Sequence, residues 1–163
     1  MDHNGFAREL YRLQDAKAVV IAMHVAGNDA SRRAAAALAG LKRKHPAVEF
    51  MMMNSSLDDT RSDVEADAKA AAIAVPILDD DNQLIGESLG ATHAGEVFVI
   101  DPKGWRVVYR GAVDAKSAKK KSRGYLAEAL AAVTADRPVT VAEVPVKGAA
   151  IAFPEREKAA SFA

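Results

Sequence analysis

The stretch "EVFVIDPKGWRVVYRG", Glu96 to Gly111, constrains the fold of this chain more than any other. Two β-rich runs, VFVI and RVVY, flank an Asp-Pro-Lys-Gly tetrad whose Asp, Pro and Gly stand at positions i, i+1 and i+3 of a type I turn. The segment therefore predicts a β-hairpin. A hairpin alone is marginal in water and needs further strands or a helix to cover it. The upstream sequence supplies both. "AKAVVIAM" (16–23) is a continuous apolar run, as expected of a strand covered on both faces. Residues 30–44 read as a helix with Ala34, Ala37, Leu38 and Leu41 on one face, Lys42, Arg43 and Lys44 at its negative end, and His45-Pro46 as its stop. "AVEFMMMN" (47–54) is the next strand, and Thr60 is an N-cap candidate for a helix carrying Val64, Ala68 and Ala71. This alternation calls for a parallel pair joined by right-handed crossovers.

The rest completes one domain. "VPIL" is a short extended piece, and "NQLIGESLG" is a helical turn or two ending at Gly90, a C′ glycine. Leu126, Leu130 and Val133 mark a last amphipathic helix before Arg137-Pro138. Met51 and Met53 fall on one face of their strand and Met52 on the other, as adaptable core filling. Three regions result. Residues 1–15 form an N-terminal helical extension on the Phe6, Leu10, Leu13 spacing, 16–137 form the body, and 138–163 form a strand or arm with a frayed tail. His3 in the terminus and His45 at a helix end read as solvated.

Composition excludes several chemistries. Of 163 residues, 22 are Lys or Arg and 22 are Asp or Glu, so the overall charge argues for neither nucleic acid nor an anionic membrane as partner. The cluster Lys116, Lys119, Lys120, Lys121 and Arg123 reads as a solvated loop or helix start, or else as a dock for an acidic protein. No apolar run approaches the roughly 18 residues of a membrane span. The charged start "MDHNGFARELYRLQ" does not resemble a signal peptide, which predicts a soluble chain, cytoplasmic as it stands or periplasmic if a leader has been removed. There is no cysteine, hence no disulfide, thiolate nucleophile, Cys-ligated zinc or iron–sulfur cluster. No G-x-S-x-G elbow, H-E-x-x-H pair or Gly-rich phosphate loop is present.

The segments "LYRLQDAKAVVIAM", "EFMMMNSSLDDTR", "VPILDDDNQLIGESLGATHAGEVFVIDPKGWRVVYRGAVD" and "KGAAIAFPE", together covering about residues 6–155, resemble the redoxin branch of the thioredoxin fold, the alkyl-hydroperoxide-reductase and thiol-specific-antioxidant type. The resemblance implies an α/β chain with three α/β/α layers, in which a central mixed sheet is built from a βαβ half, a β-hairpin and a C-terminal helix. It also implies a cysteine after the first strand, where a helix N-terminus lowers a thiol's pKa. Here that place falls within Asn28, Asp29, Ala30 and Ser31. Gly95 stands where many relatives have a proline, and Ala149 and Ala150 stand where relatives tend to have a further cysteine.

Three functional expectations follow. The first is a cysteine-free, degenerate redoxin domain without cofactor or thiol chemistry, acting as a binding or structural module for a protein partner or neighbouring domain. The second is a cysteine-less form of a thiol peroxidase or thiol–disulfide oxidoreductase. The third is a copper-binding module resembling the Sco-type copper-delivery proteins, with His24 and His93 as ligands and Asp29 or Met23 as further donors. The structural alternative makes His24 a polar strand end, His93 a loop residue, and Asn28, Asp29 and Ser31 helix caps; anion binding with Arg32 and Arg33 is the functional version of that loop. Homo-oligomer formation is left open.

Overall fold

The apolar run after residue 16 becomes β1 (Ala18–His24), seven buried residues in succession, in a computed structural model that describes residues 1–7, 13–116 and 122–161. The chain continues through α1 (Asp29–Lys44), β2 (Val48–Asn54), α2 (Arg61–Ala70), β3 (Ile77–Asp79), α3 (Leu84–Leu89), β4 (Val97–Asp101) and β5 (Arg106–Gly111). It ends with β6 (Ala115–Lys116), β7 (Ser122–Arg123), α4 (Tyr125–Thr134), β8 (Glu143–Val144) and α5 (Pro154–Ser161). The main sheet has the order β3-β2-β1-β4-β5-β8. β1 runs parallel to β2 and antiparallel to β4, which puts it at the centre with both edges paired and explains its unbroken apolar sequence. The hairpin predicted from Glu96 to Gly111 is the antiparallel pair β4–β5.

Each face of the sheet carries its own core. On one side Val20, Ala22, Phe50 and Met52 pack with Leu38 of α1, Val64 of α2 and Leu126 and Leu130 of α4. On the other, Val19, Ile21, Met23, Met51, Met53 and Phe98 pack with α3 and with Ile151 and Phe153. The three methionines divide between the faces as strand alternation requires. Together these make the three-layer α/β/α arrangement.

Local signals set the boundaries. Thr60 caps α2 in a capping box with Asp63. Gly90 ends α3 in the left-handed region. Gly111, at φ +135°, lets β8 approach so closely that a Cβ there would lie 2.0 Å from the Val144 carbonyl oxygen.

Both ends of the chain are held against the body. His3, read as solvated, donates its N–H to Ile77 O at 2.8 Å and accepts the Ile77 N–H on Nδ1 at 3.0 Å, so the N-terminus covers the β3 edge. The helix expected over Phe6, Leu10 and Leu13 falls on residues 8–12, outside the described part, as do residues 117–121 of the lysine cluster. The C-terminal arm is docked: Ile151 and Phe153 are buried, and the Gln83 side-chain amide donates to Ser55 O and Ala152 O, both at 2.7 Å. Arg156 stacks on the Phe153 ring and donates to Ala91 O at 2.7 Å. The apolar content of "AAIAF" is what drives this docking. Among the described residues no helix is long and apolar enough to cross a membrane.

Candidate functional site

β1 ends with the His24 side chain inside the protein, and the chain turns through Gly27 into α1. Asn28 caps that helix, its Oδ1 accepting the N–H groups of Ala30 at 2.8 Å and Ser31 at 3.1 Å. Its backbone carbonyl accepts the Arg32 N–H at 3.1 Å. The Ser31 hydroxyl accepts the Val25 N–H at 3.0 Å and points back to Met23 O. The Ala30, Ser31 and Arg32 amides at this helix end are therefore bonded within the protein.

Gly95 sits directly on this helix start. At φ +77°, a Cβ built on it would lie 2.8 Å from Ala30 O and 3.0 Å from Ala30 Cβ. Its N–H donates to Met23 O at 2.9 Å, and the Met23 N–H in turn donates to Glu96 O at 2.8 Å. A proline, fixed near φ −65° and lacking an N–H, does not fit this position as built. The third place marked by the resemblance arrives at the same loop. The Ala94 N–H donates to Ala149 O and the Ile151 N–H to Thr92 O, both at 2.9 Å, and His93 pairs antiparallel with Ala150. Residues 28–31, Gly95 and 149–150 thus gather around one loop.

Beneath the loop lies a buried polar network. Asn54 Oδ1 accepts the Ser56 N–H at 3.0 Å, which identifies Nδ2 as its donor end. Nδ2 donates to Asp59 Oδ2 at 2.7 Å and to His24 Nδ1 at 3.0 Å. His24 Nδ1 is therefore bare, and Nε2–H donates to Asp67 Oδ2 at 3.0 Å. The other oxygen of Asp67 accepts Arg32 Nε at 3.0 Å and Nη2 at 2.5 Å. Burial holds the His24 pKa below its ordinary value despite Asp67. Burial alone would raise the Asp67 pKa, but hydrogen bonds from Arg32, His24 and the Gly27 backbone outweigh it and the net direction is down. His24 is thus a neutral imidazole against an ionised, Arg-paired carboxylate.

His93 belongs to a different set of contacts. Its Nδ1 lies 2.8 Å from the Thr92 hydroxyl, and its loop is shaped by buried Glu96, which accepts the Thr92 N–H at 2.7 Å and pairs with Arg110 at 3.0 Å. The fold joins the two histidine-bearing segments through the backbone, while each imidazole keeps its own partners. A metal at His24 would have to displace Asn54 or Asp67. Met23, one of the two further donors proposed, is buried in the apolar core. Among the described residues no three His, Cys, Asp or Glu side chains are grouped as metal ligands.

Asp67, Asn54 and Asp59 were not among the candidate residues. The visible signal for Asp67 is its place within the Val64, Ala68, Ala71 stripe of α2, where an acidic residue is buried and needs partners. Arg32, read as an anion binder, has its charge taken up by Asp67. Beside the Gly95–Ala30 contact opens a cleft of about 520 Å³, walled by Ala30, Ala34, Ala37, Gly95 and Val113 and flanked by exposed Arg33, Asp114 and Lys147.

No protein-family model matches the sequence, and no curated protein matches it. Solved structures do. A hypothetical protein from Sinorhizobium meliloti is similar at 26% identity and a TM-score of 0.75, over 92% of this chain and 87% of that one. A peroxidoxin from Mycobacterium tuberculosis is similar at 19% identity and a TM-score of 0.61, over 83% and 90%. The thioredoxin domain of a thiol-disulfide oxidoreductase from Bacteroides vulgatus is similar at 13% identity and a TM-score of 0.58, over 68% and 79%. The chain has the thioredoxin-like, redoxin-type fold, and it contains no cysteine.

Proposed function

We propose that this redoxin-type domain binds rather than reacts: a non-redox binding or structural module whose working surface is the loop and cleft around Gly95. One observation carries the reading. The helix end where thiol chemistry is expected in this fold is closed, because Asn28 and Ser31 consume its local hydrogen bonds and Gly95 packs against Ala30 without room for a Cβ. A minimal exchange of cysteine for serine or alanine would leave a proline-compatible neighbour in place. Gly95, with its positive φ and its bonded N–H, is a rebuilt neighbour.

The test is a set of four single substitutions, Asn28→Cys, Asp29→Cys, Ala30→Cys and Ser31→Cys, each assayed for peroxide and disulfide reduction with a thiol reductant. The reading expects four folded proteins that turn over no faster than free cysteine. One variant exceeding free cysteine by about a hundredfold, the scale of a positioned acid–base contribution, would establish instead a peroxidase or oxidoreductase lacking only its thiol.

A further inference from the structure

We infer that the cleft beside Gly95 takes a small amphipathic carboxylate, an aliphatic body carrying an anionic head. The inference rests on the non-redox binding reading and adds the chemistry of the ligand.

Its volume of about 520 Å³ suits a small molecule, since ligand pockets run from about 300 to 1,000 Å³. Ala30, Ala34 and Ala37 stand one or two turns apart on the same side of α1, and Ala112 and Val113 line the cleft with them. That surface of methyl groups offers burial to an alkyl chain and no hydrogen bonds to a sugar or a base.

Charge selects the head group. Arg33 and Lys147 both line the cleft, both are exposed, and neither is ion-paired among the described residues. The contrast with adjacent Arg32, which is spent on Asp67, is direct. Asp114 also lines the cleft and has interactions of its own; Arg33 and Lys147 together favour an anionic head on the ligand.

Backbone accounting disfavours an extended peptide. The Ala94 N–H is bonded to Ala149 O, the Gly95 N–H to Met23 O, and the Ala30 and Ser31 N–H groups to Asn28. A peptide adding as a strand needs such groups free. An amphiphile recognised through side chains alone does not.

The experiment is calorimetric titration of the wild-type chain at neutral pH with octanoate, octan-1-ol and octylammonium, each below its micellar concentration. Octanoate is expected to bind about tenfold or more tightly than octylammonium, the scale of one charge-assisted contact. The double variant Arg33→Ala/Lys147→Ala, altered only at exposed positions, is expected to lose that preference while its affinity for octan-1-ol stays within about twofold. Ala37→Phe, which fills the cleft from a half-buried position, is expected to weaken octanoate and octan-1-ol together. Equal binding of octanoate and octylammonium, no octanoate binding, or octanoate binding unchanged in the double variant would each overturn the inference. If octanoate fails while the four cysteine variants stay inactive, the ligand class falls and the non-redox reading stands; turnover by a cysteine variant removes that reading whatever octanoate does.

Discussion

A second proton on His24 would land on Nδ1, directly opposite the Asn54 amide that already donates there. The folded protein therefore resists it, and the His24 pKa lies below 6.5. The unfolded chain takes that proton more readily, so the stabilisation is complete above 6.5 and is lost as pH falls through the folded value. Asp67, whose folded pKa is also lowered, stabilises the protein above 3.8 and adds a second loss at more acid pH. Urea midpoints are expected to be level above 6.5 and to decline below it, with His24→Gln abolishing the first part of the decline; an unchanged profile in that variant would refute the assignment. Asp67→Ala removes the partner of both Arg32 and His24, and equilibrium unfolding should show a loss of about 3 kcal/mol, near the low end for breaking a buried pair because Arg32 keeps access to water. Gly95→Ala faces a positive φ and a 2.8 Å contact with Ala30 O, for an expected loss of about 2–4 kcal/mol. A loss below about 1 kcal/mol there would show that the loop relaxes freely. The sequence announced His24 and Gly95 as notable positions. It did not announce Asp67, because α2 looks like any amphipathic helix until its buried stripe is seen to include a carboxylate.

Elements with a strong local signal were legible in advance. The hairpin around Asp-Pro-Lys-Gly, the Thr60 cap and the Gly90 stop all form where their residues predict them. The docking of the C-terminal arm was not legible, since "KGAAIAFPE" has no periodicity and its contacts are tertiary. Ile151 and Phe153 complete the second core, while Gln83 and Arg156 tie the arm down by backbone carbonyls. Phe153→Ala is expected to cost about 3–5 kcal/mol and to speed exchange of the Ile151 amide, whose acceptor is Thr92 O. If hydrogen exchange at Ile151 stays at the wild-type rate, the arm does not depend on Phe153 for its place. The same arm pairs with the loop before Gly95 through Ala149, Ala150 and Ile151, so its loosening is expected to be felt at the cleft.

Taken whole, the molecule has the redoxin-type fold and contains no cysteine. The framework was readable because alternating strands and helices with one clear hairpin admit few topologies. The site was readable only as a location, since side-chain partners such as Asn54 and Arg32 come from elements far apart in the sequence. The account turns on the start of α1, where Asn28 holds the amides of residues 30 and 31 and Asp29 adds a neighbouring negative charge. Its most direct measurement is the thiol pKa of Ala30→Cys, read from the pH dependence of iodoacetamide alkylation. A helix end closed in this way predicts a value within about one unit of the ordinary 8.5. A thiol ionising below about 6.5, as activated cysteines at helix N-termini do, would contradict it.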